Sequence, residues 1–118
     1  MEAVISKADW KLLRTKIAEW QERYMAQLIQ QYIQLLSDES RNPSDRFWDL
    51  EKQVKNAKKH PGVLICLEKA NAVYDIVSLI QLGVISFEDL ADFSDGLKEC
   101  VQRILSLYMN DTEKERLE

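Results

Sequence analysis

An all-α fold, a four-helix bundle with a central apolar third helix and a long first helix, is predicted from three features of the sequence. The chain has only three Gly and two Pro in 118 residues, too few for the turns that a β-rich fold requires. Apolar residues recur at helical spacing in four stretches. Helix start and stop residues separate those stretches at the right places.

The first stretch is the clearest. Ser6 is a good N-cap, with Asp9 at the capping-box position and Ile5 and Trp10 placed as a hydrophobic staple. From there Trp10, Leu13, Ile17, Trp20, Tyr24, Leu28, Tyr32 and Leu35 form one stripe. Met25, Ile29, Ile33 and Leu36 add a second one. The spacing predicts a helix over 7–37, roughly 45 Å long at 1.5 Å per residue. That is long for a globular domain, so its distal half must pack against something else. Pro43 ends the polar loop that follows, and Ser44 is read as the cap of a second helix over 45–59 with Phe47, Trp48, Leu50, Val54 and Ala57. The third helix is predicted over 61–82, opened by Pro61 and apolar around nearly its whole circumference, hence central and buried. Gly83 is a left-handed C-cap. Ser86 with Asp89 starts the fourth helix, in which Leu90, Phe93, Leu97, Val101, Ile104 and Tyr108 keep the period to about 109. Gly96 inside that run marks a close helix contact or a break near Phe93–Gly96. The charged tail is expected to fray from about 110, and residues 1–118 are read as a single domain.

Composition excludes several function classes. Hydrophobic residues are 46% and charged residues 31%, the balance of a globular domain rather than a disordered chain. The uncharged stretches Tyr24–Ser37 and Ile76–Phe87 are too short and too polar for membrane spans. The N-terminal segment lacks signal-peptide features, so a cytoplasmic location is expected. A net charge of −4 and a pI near 5.1 argue against nucleic acid as partner. Leu82–Phe87 has the outline of a helix-turn-helix, but the helix after it would set carboxylates against phosphates.

The candidate chemistry is thin. His60, the one histidine, follows two lysines at a helix end, where a cation suits the dipole; it has no metal-ligand spacing around it. Cys66 and Cys100 lie 17 positions before and after Gly83, at similar height in a predicted hairpin, and read as buried inert thiols rather than as a redox or metal pair. Glu88, Asp92, Asp95 and Glu99, with Asp89 beside them, fall on one face of the predicted fourth helix; a solvated acidic patch explains them better than a calcium loop, whose ligand spacing is missing. Lys52, Lys55 and Lys59 are the opposing charges on the second helix. No catalytic residue, cofactor or metal site is assigned.

The segments Ile5–Lys11, Lys59–Val63 and Gly83–Leu90 resemble a group of small uncharacterised proteins of Gram-positive bacteria. Some members of that group carry the label "multidrug transporter", which a chain without a membrane span contradicts. The resemblance implies a bacterial cytoplasmic protein and brings no catalytic residue with it.

The expected function is therefore that of a non-enzymatic interaction protein working through helical faces, as a homodimer or with a protein partner. The expected interaction face is Trp10, Trp20, Tyr24, Leu28 and Tyr32. Two alternatives stand beside it: an antitoxin- or immunity-like binder of a basic protein, and a helical bundle that holds a metal or small ligand on the fourth-helix carboxylates.

Overall fold

The computed structural model describes the backbone of residues 4–117 and the side chains of residues 4–108. The fold is all-α. Four α-helices, α1 (Lys7–Ser37), α2 (Pro43–Ala57), α3 (Ala72–Gln81) and α4 (Asp95–Leu117), are joined by loops that include two short 3-10 turns, and no strand occurs among the described residues. No helix among them is long and apolar enough to cross a membrane. The first helix has the limits the spacing predicts, and the Asp9 N–H donates to the Ser6 hydroxyl at 3.1 Å, as a capped first turn requires.

The chain divides into two compact units, residues 1–16 with 67–118, and residues 17–66. α1 contributes to both. The first unit holds a core: Leu13, Ile76, Leu79, Leu90 and Val101 are fully buried, with Ile5, Val73, Val77, Val84, Ile85, Phe93 and Leu97 around them. α3 is its centre and turns Ala72, Val73, Ile76, Val77 and Leu79 inward. Gly83, at φ 78°, ends α3, and the N–H groups of Val84 and Ile85 both return to the Leu79 carbonyl.

One polar link fastens this core. Asp9, on the first turn of α1, is 5% exposed. Its carboxylate accepts the Ser94 backbone N–H at 3.0 Å and the Ser94 hydroxyl, and that hydroxyl oxygen accepts the Leu97 N–H at 3.2 Å. Ser94 is thus the cap of α4, and Asp9 holds the cap. Burial raises the Asp9 pKa, but the hydrogen bonds from Ser94 and Ser6 outweigh it and leave the group below the ordinary carboxylate value. Asp75, on α3, is pushed the other way, first by burial and then by the charge of Glu68.

Three expectations are corrected by this architecture. The third helix does not begin at Pro61: residues 61–68 are turn and extended chain, a 3-10 turn spans Lys69–Asn71, and only Ala72–Gln81 is α-helical. A continuous apolar run fits extended backbone as well as helix, and Val63 and Ile65 favour the former. Leu64 is accordingly 70% exposed. The second helix starts at Pro43 rather than after Ser44, because proline needs no N–H at a first helical position. The fourth helix is interrupted: the Ser86–Asp89 box, with Ser86 N–H donating to Asp89 at 2.8 Å, caps only the 3-10 turn Phe87–Leu90, and α4 restarts at Asp95. The Ser94 N–H goes to Asp9 instead of a helical carbonyl, which fixes the break at the place Gly96 marked. The backbone of α4 runs to Leu117, and its side chains from 109 onward lie outside the described residues.

Because the Asp9 pKa is depressed on folding, its contribution to stability is complete well above the ordinary value of 3.8 and is lost as pH falls below it. Asp9→Asn should destabilise the fold by about 1.5–3 kcal/mol at pH 7 in urea titrations. The variant should also flatten the loss of stability as pH falls below 3.8.

Candidate interaction face

Residues 17–66 form an antiparallel helical hairpin from the distal part of α1, a tight polar loop and α2. Charge and hydrogen bonding close the loop. Arg41 pairs with Asp49 at 2.9 Å, Asp49 also accepts from Gln53, and Arg46 donates to the Leu36 carbonyl at the end of α1. The guanidinium of Arg41, above all, keeps the Asp49 carboxyl below the ordinary range.

The open end of the hairpin is fastened by His60. Its ring stacks on Tyr24, with centroids 4.7 Å apart and planes 7° from parallel. Nδ1 accepts the Gly62 N–H at 3.0 Å, which assigns the neutral ring proton to Nε2, 3.4 Å from the Tyr24 hydroxyl. Gln21 donates to the Pro61 carbonyl at 3.1 Å. Burial, and then the nearby Tyr32, hold the Tyr24 hydroxyl above its ordinary pKa. Gly62 is buried with its α-carbon against the Tyr24 ring: a Cβ there would lie 2.7 Å from Cε1 and 2.8 Å from Cγ. His60 is therefore a packing residue of the hairpin.

The five residues of the expected interaction face divide. Trp10 belongs to the first unit, half-buried with the Arg14 guanidinium 5.3 Å from its ring centre. Trp20 is buried. Tyr24, Leu28 and Tyr32 are half-buried and line a shallow groove of about 250 Å³ with Gln53, Asn56, Ala57 and His60 of the facing side. These side chains are thus engaged within the hairpin. The open apolar surface is the second stripe of α1: Ile29, Ile33 and Leu36 are 54%, 50% and 43% exposed. On α2, Phe47, Trp48 and Val54 are exposed as well, and Phe47, Leu50, Glu51, Val54, Lys55 and Lys58 line an open groove along that helix. Phe47 and Trp48 meet edge to face at 5.1 Å.

The four acidic residues are exposed but do not share one helix. Glu88 sits in a 3-10 turn and Asp92 in the loop after it, so of the four carboxylates only Asp95 and Glu99 share α4. Asp92 pairs with Lys16 at 3.1 Å and Asp95 with Lys98 at 3.3 Å. No group of three or more His, Cys, Asp or Glu among the described residues is placed to hold a metal. Cys66, expected to be buried, is exposed on the non-helical segment; Cys100 is half-buried; both are free thiols.

No family model, curated protein or solved structure matches the chain.

What the sequence did not reveal in this region is the second wall of the Tyr24 groove. Gln53, Asn56 and Ala57 reach it from α2, and nothing in their spacing distinguishes them from an ordinary polar helix face. Gly62→Ala tests the close contact: forcing a Cβ against the Tyr24 ring should cost about 1–3 kcal/mol by urea unfolding. The double variant with Tyr24→Ala should lose markedly less than the sum of the two single changes.

Proposed function

We propose that this is a non-enzymatic cytoplasmic protein that works by association through its helical faces, as a homodimer. The observation that carries this reading is the uneven distribution of burial. Of the buried apolar residues among those described, only Trp20 lies in residues 17–66, and α2 has none. A two-helix hairpin whose apolar residues stay wet is half of a packed structure, since helical stability in proteins comes chiefly from burying the apolar face.

The chemistry of the open stripe favours a second copy as the partner. From Tyr24 to Ser37 α1 carries no charged side chain, and its polar positions there include Gln27, Gln30, Gln31 and Gln34. Amides are far less costly to desolvate than charges, and depletion of charge is the mark of an interface centre. A strongly basic partner finds no complement on such a surface. The carboxylates that would have met it are in part engaged elsewhere, with Asp92 on Lys16 and Asp95 on Lys98.

Size-exclusion chromatography with light scattering should give twice the 13.8 kDa chain mass. Ile33→Glu places a carboxylate at the centre of the stripe in each copy and should weaken association by about 100-fold or more, for a loss of about 3 kcal/mol. Thr15→Glu, on the exposed side of the first unit, should leave the mass unchanged. A chain that stays monomeric at every concentration, with no protein partner recovered from cells, removes this reading.

A further inference from the structure

Most of the exposed apolar residues of α1 and α2, Trp48 excepted, form one surface. In α1, Leu28 and Tyr32 turn toward α2, and Ile29 and Ile33 lie about 100° further round the helix. In α2, Gln53 turns toward α1, and Val54 lies about 100° further round. The two helices run antiparallel, so equal rotations carry both sets to the same side of the hairpin. Met25, Ile29, Ile33 and Leu36 of α1 therefore continue sideways into Leu50, Val54 and Phe47 of α2.

We propose that a second copy of this chain seats on that whole face with α1 antiparallel to α1, closing the two hairpins into a four-helix bundle about a twofold axis at Ile33. This rests on the homodimer reading above and adds to it the partner's orientation and register. Tyr24 stands beside His60, and Tyr32 shares its groove with Gln53. The level of Ile33 on α1 therefore falls near residues 51–52 of α2, midway between Leu50 and Val54. One axis at that level centres both stripes at once. It sets Ile33 on the partner's Ile33, Ile29 against the partner's Leu36, and Leu50 against the partner's Val54. At the rim Glu51 comes within about two residues, roughly 3 Å along the axis, of the partner's Lys55, opposite charges within side-chain reach; Lys52 and Lys55 of α2 make no ion pair among the described residues. A parallel arrangement would instead set each charged side chain beside its own copy.

The area suffices. α2 has 15 residues, about 22 Å of helix, and two helices side by side are about 20 Å wide. Each copy thus offers about 450 Å² of projected face, and the pair about 900 Å² before interdigitation adds to it, close to the roughly 1,000 Å² that a specific interface must reach. An apolar face of this kind, left in water on a small protein, is the signature of an association site.

Cysteine cross-linking reads the register. In a Cys66→Ser, Cys100→Ser background, Ile33→Cys should form a covalent dimer rapidly under mild oxidation, Ile29→Cys and Leu36→Cys should each do so slowly, and a mixture of those two should cross-link to each other. Light scattering on the same reduced samples reports association independently. A dimer in which Ile29→Cys and Leu36→Cys each cross-link to themselves as fast as Ile33→Cys is parallel and overturns the proposal. A dimer in which none of the three reacts uses another face and overturns it too; both outcomes leave the homodimer standing. A monomer overturns the homodimer and this geometry together.

Discussion

An amphipathic hairpin of two helices has no inside, and the rest of this structure follows from that constraint. Two antiparallel helices bury one seam between them; the residues next to the seam remain at its edge however well the loop is made. Here the seam is filled by Tyr24, Leu28, Tyr32 and the stacked His60. Ile29, Ile33, Leu36, Phe47 and Val54 are left on its flank. Each fully buried aliphatic side chain contributes about 1.5–3 kcal/mol relative to exposure, so a flank of five such residues is a large reservoir of unused stabilisation. The first unit spends its apolar residues inward; the hairpin holds them in reserve for association.

The two units also differ in how polar groups are used. In the first, a single buried carboxylate sets the geometry. Asp9 takes both the N–H and the hydroxyl of Ser94, ends the run after Phe93 and dictates where α4 restarts. In the hairpin, polar side chains instead close the two ends of the seam, Arg41 with Asp49 at the loop and Gln21 with the Pro61 carbonyl at the opening. Neither device fills the flank. Fastening and burial are separate in this hairpin, so its shape is set before anything covers it.

Much of this was legible in the residues. Ser6 and Ser37 bound α1 because capping and periodicity agree along its whole length. Gly83 takes the left-handed conformation that its place after an apolar helix demands. The surplus length of α1 was visible as a double stripe with no charge for fourteen residues. What was hidden depends on contacts distant in sequence. The segment 61–68 reads as buried helix because a solid apolar run has no period to betray it. The Ser86–Asp89 box was rightly seen as a cap, yet the helix it starts is a single 3-10 turn, and Asp9, 85 residues away, takes the Ser94 N–H where α4 restarts. The single helical face expected of the acidic residues went with that helix. In the hairpin the side chains divide by rotation: Tyr24, Leu28 and Tyr32 turn toward α2, and Ile29, Ile33 and Leu36 are the more exposed.

The central claim is that the hairpin's flank is covered by another molecule of the same chain. Hydrogen exchange followed by mass spectrometry at several protein concentrations tests it directly, because burial between copies obeys mass action and burial within one copy does not. The account predicts that amides of residues 25–36 and 47–57 exchange faster on dilution, in parallel with dissociation, while those of Ala72–Gln81 keep the same protection throughout. Equal protection of the hairpin at every concentration, in a chain that remains monomeric, would contradict it.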